Sequence, residues 1–147
     1  MQITIAINKD NIYEQVAQKT SWIGSKSAEA GAYDRIFTTD EDKELLELYW
    51  KEAKDTLLSK IKSLVDSNSE TNNIFTLTLN VSSRFKFALL SSIQSGIESY
   101  FENIIIAKWF NISYKTDVQS YATDAATYLD DVKKKLYYKD KPRRPSY

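Results

Sequence analysis

The sequence predicts a mainly α domain: a helical bundle of three long or medium helices plus a short N-terminal helix, with a small two-stranded β element and an extended C-terminal arm. Three observations carry that reading. Apolar residues recur at helical spacing along residues 38–67, 84–112 and 116–136. Strict alternation of apolar and polar residues occurs in two short runs, MQITIAIN and IFTLTLNV. The chain closes on YYKDKPRRPSY, a basic stretch with two prolines and no apolar periodicity. A length of 147 residues suits one core. The expected division is a helical domain over 1–138 and an arm over 139–147.

The elements follow in order. In MQITIAIN, Ile3, Ile5 and Ile7 share one face of a strand, and Gln2, Thr4 and Ala6 the other. DNIYEQVAQKTSWIG reads as a short helix capped by Asp10 or Asn11, with Glu14 completing a box with Asn11 and Gly24 as the stop. GSKSAEAGAYDRIFT reads as a loop. TTDEDKELLELYWKEAKDTLLSKIKSLVDS is the clearest helix. Thr38 or Thr39 would cap it, and Leu46, Trp50, Ala53, Leu57, Ile61 and Leu64 form its stripe.

NSETNN holds turn formers, and IFTLTLNV is then the second strand, with Phe75, Leu77, Leu79 and Val81 on one face. The two strands can pair with each other or with a neighbouring subunit. RFKFALLSSIQSGIESYFENIIIAKWFNI is the second long helix. It is apolar nearly all round in its second half, as a central bundle helix should be, with Lys108 the exception. Thr116 with Gln119 would cap the last helix, lined by Val118, Ala122, Ala125, Leu129, Val132 and Leu136. Its small residues Ala122, Ala125 and Ala126 would let a neighbouring helix come close.

Composition narrows the function. There is no Cys and no His. That removes thiol nucleophiles, the Ser-His-Asp and Cys-His triads, disulfides and zinc sites built from the usual ligands. Neither G-x-G-x-x-G nor G-x-x-x-x-G-K-[ST] occurs, so phosphate-cradling loops are missing. MQITIAINKD lacks a basic region followed by an apolar stretch, so no signal peptide is expected. The longest apolar run, IIIA, is far below a membrane span, so no membrane contact is expected. The triplets at Asn80 and Asn111 match the glycosylation pattern, which without secretion is a chance match. Formal net charge is zero, which favours self-association over repulsion between copies.

Three groups invite a chemical reading, and each has a plainer one. Asp40, Glu41, Asp42 and Glu44 offer oxygens to a divalent ion, yet they sit at a helix start, where the helix dipole favours acids. Glu98 and Glu102 lie one turn apart, as acid–base or di-metal pairs do. Such metal bundles use a histidine, so a solvated face or an intersubunit contact is expected instead. Aromatics beside basic residues can stack nucleic-acid bases. Trp50, Tyr100 and Phe101 lie on apolar stripes and read as core, while Trp22, Tyr33, Phe37 and Trp109 are open between core and interface. No catalytic residue, cofactor or metal is expected.

Charge separation is the strongest remaining signal. Lys133 to Tyr147 holds seven basic residues against Asp140 alone, a net of +6, which leaves −6 on residues 1–132. Glu29 to Glu70 holds eleven acids and six bases. A basic end can bind phosphates by releasing condensed counterions. It can also dock on the acidic face of another copy, a heterologous contact that closes into a ring if the rotation permits. Pro142 and Pro145 stiffen the arm toward an extended form, and Tyr137, Tyr138 and Tyr147 supply anchors. The expected partner-binding residues are therefore Tyr137, Tyr138, Lys139, Lys141, Pro142, Arg143, Arg144, Pro145 and Tyr147 in the arm. Asp40, Glu41, Glu44 and Glu47 are the expected receiver.

The order of short strand, helix, GAYDRIFTTDED, long helix, IIIAKWF, helix and LYYKDKPRRPSY resembles small virion proteins of tailed phages and prophages of gut bacteria, including crAss-like phages. These are head-to-tail connectors of the adaptor, ring or head-completion type. The resemblance implies a helical bundle with an extended terminal arm, stacked as a homo-oligomeric ring, commonly twelve-fold, beneath the portal. It implies a structural role in the virion after assembly in the host cytoplasm, with the arm gripping the portal or a neighbouring neck or tail protein. A passing contact with packaged DNA is a further expectation. The alternative is a small nucleic-acid-binding or regulatory protein that uses the same basic tail.

Overall fold

The computed structural model describes residues 1–26, 38, 42–113 and 117–139. Among them the order is β1 (Gln2–Asn8), α1 (Lys9–Lys26), α2 (Lys43–Lys60), β2 (Val65–Thr71), β3 (Ile74–Asn80), a short 3-10 turn (Phe87–Leu89), α3 (Leu90–Ser113) and α4 (Val118–Tyr137). The fold is mainly helical, as expected, but the β element has three strands rather than two. The sheet is antiparallel, ordered β1-β3-β2, with Ile5 opposite Leu77 and Asn68 opposite Leu77 on the other side.

The missed strand is β2, and its sequence explains the miss. VDSNSET has no alternation, and it is exposed over nearly its whole length. What holds it is pairing with β3, a backbone contribution that leaves no hydrophobic trace. Asn72 and Asn73 form the turn with φ of 53° and 63°. Asparagine tolerates that left-handed region, and two such residues make the tight turn that matches strand twist. The preceding helix therefore stops at Lys60, not near residue 67. Ile61 donates its N–H to the Leu57 carbonyl at 3.2 Å, and the chain turns into β2.

Helix ends differ from expectation in other places. The Asn8 carboxamide oxygen accepts from the Asp10 and Asn11 N–H groups at 3.0 and 3.3 Å, so Asn8 caps α1. The helix runs through a buried Gly24 to Lys26, eighteen residues in all, and is not short. Thr38 does not cap α2. Its N–H donates to the Thr20 hydroxyl at 3.2 Å, and α2 begins only at Lys43. α3 begins at Leu90, after an irregular stretch that still buries Phe85. Thr116 lies outside the described residues, and Gln119 donates to the Thr123 hydroxyl instead of reaching back.

The core lies between one face of the sheet and the helices. Ile3, Ile5, Ile7, Phe75, Leu77 and Leu79 are all buried on that face. Trp50 of α2 stacks on Phe101 of α3 at 4.3 Å and meets Phe75 edge-on at 6.3 Å. Burying each such side chain contributes roughly 1.5–3 kcal/mol. The Tyr100 hydroxyl donates to the Ala53 carbonyl at 2.9 Å, so its polar end is satisfied inside the core. α3 and α4 approach closely at Gly96, where a Cβ would stand 2.8 Å from Val132 Cγ2. The glycine makes that approach, with Ala125 buried, Ala122 half-buried and Ala126 exposed.

Candidate partner interface

The C-terminal ends of α2 and α4 come together. Lys60 reaches Asp130 at 3.2 Å, and the Ser63 and Tyr137 hydroxyls are hydrogen-bonded to each other. Between these ends lies an open groove of about 620 Å³. α4 stops because Tyr138 turns extended, with φ −66° and ψ 135°. Tyr138 thus takes a polyproline-like conformation where the chain leaves the helix. Tyr137 and Tyr138 are 42% and 48% exposed, and Lys139 is exposed beside them. Lys134 and Lys135 complement the negative end of the α4 dipole. Lys135 is engaged with Asp131 at 2.7 Å and with the Ser92 hydroxyl. Among the described residues, no carboxylate pairs with Lys62, Lys133, Lys134 or Lys139. The expected arm residues Lys141, Pro142, Arg143, Arg144, Pro145 and Tyr147 lie outside the described residues.

The expected acidic receiver fares differently. Asp40 and Glu41 lie outside the described residues, and Glu44 is exposed in the first turn of α2. Glu47 is half-buried, and Lys9 holds its carboxylate at 2.9 Å. Lys9 is only 6% exposed, and it also faces Glu70 at 3.9 Å. Glu70 accepts the Trp50 indole N–H at 2.5 Å and lies 3.9 Å from Lys54. The Tyr13 hydroxyl is buried beside this cluster and completes no hydrogen bond of normal geometry. Burial raises its pKa well above the usual tyrosine value, and the nearby Glu47 charge adds to the rise. Sequence reasoning missed Lys9. The signal was its phase: an odd position directly after Ile3, Ile5 and Ile7 points toward the core.

The Glu98 and Glu102 carboxylates are also engaged. Glu102 pairs with Lys19 at 2.9 Å, and Glu98 accepts from the Gln94 carboxamide at 3.3 Å. Both line a polar groove of about 370 Å³ between β1, α1 and α3. Lys108, the exception on the apolar helix, reaches Glu52 at 2.9 Å, which ties α3 to α2. Trp50, Tyr100, Phe101 and Trp109 are core, while Trp22 is 66% exposed. Tyr33 and Phe37 lie outside the described residues. Among the described residues, no group of three or more acids could hold a metal ion, and no helix is long and apolar enough to cross a membrane. No family model, no curated protein and no solved structure matches this chain.

Proposed function

We propose that this chain is a structural subunit of a phage head-to-tail connector, assembled as a ring and held to the portal or an adjacent neck protein by its C-terminal arm. The observation that carries the proposal is the concentration of exposed tyrosines and unpaired lysines at one end of the molecule. There the last described helix hands over, in an extended conformation, to a basic stretch with two prolines. Tyrosine and arginine are the side chains that anchor interfaces, and a proline-stiffened segment loses little entropy on docking. The carboxylates a catalytic reading would need are used to join elements: Glu47 with Lys9, Glu52 with Lys108 and Glu102 with Lys19. That usage fits a rigid building block.

The arm carries the docking in this proposal, and Glu44 and Glu47 are the described acids on its expected receiver. Deletion of residues 139–147 tests it. The shortened chain should fold, as judged by an unchanged thermal transition, yet fail to enter purified particles. Normal incorporation of the shortened chain would reject the proposal.

A further inference from the structure

The groove between the ends of α2 and α4 has a chemistry of its own, apart from the arm. Hydroxyls of Ser59, Ser63 and Tyr137 and ammonium groups of Lys60, Lys62 and Lys133 line it. Thr56 also lines it, with its hydroxyl donated to the Glu52 carbonyl at 3.1 Å, and among the described residues Asp55 is its one carboxylate. Helix-dipole stabilisation accounts for Lys60, Lys134 and Lys135, which occupy last turns. It does not account for Lys62, which lies beyond the end of α2, nor for Lys133, which precedes the last turn of α4. Lys60 is neutralised by Asp130. Lys62 and Lys133 form no ion pair among the described residues, and against the Asp55 carboxylate they leave the cleft net positive, beside the Ser59 hydroxyl and the hydrogen-bonded Ser63 and Tyr137 hydroxyls. Lys134, Tyr138 and Lys139 are exposed at the same end of α4, where Tyr137 lines the groove.

Ammonium and hydroxyl donors converging on an open cleft match the oxygens of phosphodiesters. A cleft of about 620 Å³ has room for a backbone segment, and its openness to solvent suits a long polymer better than an enclosed small molecule. We infer that this groove seats the phosphodiester backbone of nucleic acid, with Lys62 and Lys133 as the principal contacts. The contact is sequence-independent, since nothing in the groove is built to read base edges. Asp55 opposes it and limits affinity.

Fluorescence anisotropy with a labelled 25-base-pair DNA duplex tests the inference on the full chain across a salt series. Affinity should fall steeply with salt, with a log–log slope of roughly −3 to −4 for about four phosphate contacts. Lys62→Gln with Lys133→Gln should flatten the slope by about 2, near 0.9 per lost contact. Asp55→Asn should tighten binding several-fold at low salt. The chain lacking residues 140–147 should keep the Lys62 and Lys133 dependence, which separates this groove from the arm proposed above. Absence of binding at low salt would overturn the inference. So would a slope unmoved by the double substitution, or equal binding of a poly-glutamate of matched charge. Far-UV circular dichroism of each variant guards against misfolding; Asp55 and Lys62 are exposed and Lys133 is half-buried.

Discussion

Replacing Lys9 with Met should destabilise the fold far more than a surface lysine would. Lys9 is 6% exposed and stands 2.9 Å from Glu47 and 3.9 Å from Glu70. Removing one member of a buried ion pair costs about 3–5 kcal/mol, because the other charge is left without compensation. Here the acid side chains are 39% and 28% exposed, so water screens part of that loss. A cost of about 2–3 kcal/mol is the discounted figure. For a chain of this length 1 kcal/mol corresponds to about 3 °C, so the thermal midpoint should drop by about 6–9 °C. Glu47→Gln keeps an acceptor for the ammonium and should cost less, about 1 kcal/mol. The double variant should be less destabilised than the sum of the singles, by about 1 kcal/mol. Thermal and urea unfolding of the four proteins measures this directly. A Lys9→Met midpoint within 1 °C of the parent, or strict additivity, would refute the reading of Glu47 as a structural partner.

Other consequences are open to measurement. Stability should fall in alkali, because burial raises the Tyr100 pKa from 10.0 to about 12 and raises that of Tyr13 as well. The folded state keeps protons that the unfolded chain releases above pH 10, so stability is full below pH 10 and is lost toward pH 12. The loss from Tyr100 is roughly 1 kcal/mol at pH 11 and up to about 3 kcal/mol above pH 12, read by urea unfolding at pH 8 and pH 11. Tyr100→Phe should cost about 1 kcal/mol at pH 7 and flatten that decline. Asn73→Val should cost about 1–2 kcal/mol through its positive φ, whereas Asn73→Gly should be neutral or slightly stabilising. Gly96→Leu should fail to fold at 37 °C, since even a Cβ meets Val132 at 2.8 Å, and Val132→Ala should restore part of the loss.

The helices were legible because burial leaves a period. Trp50, Leu57, Ile97, Phe101, Leu129 and Val132 sit inside as their spacing requires. β1 and β3 were legible for the same reason at period two. β2 was not, since an edge strand held by backbone hydrogen bonds needs no apolar side chain. Caps were misplaced because several polar residues near each helix start could serve, and only the path of the chain selects one. Asn8 rather than Asp10 caps α1 because β1 ends there. The basic end was visible as a charge count, but the groove was not. Lys62 and Lys133 are far apart in sequence and meet only because α2 and α4 end side by side.

The central claim is that the C-terminal arm reaches another molecule. A photo-crosslinking residue at position 147, in an otherwise unaltered chain within its native assembly, tests it most directly. Crosslinks to a neighbouring copy or to a second protein of the particle are the predicted result. Crosslinks confined to the subunit's own surface would contradict the account.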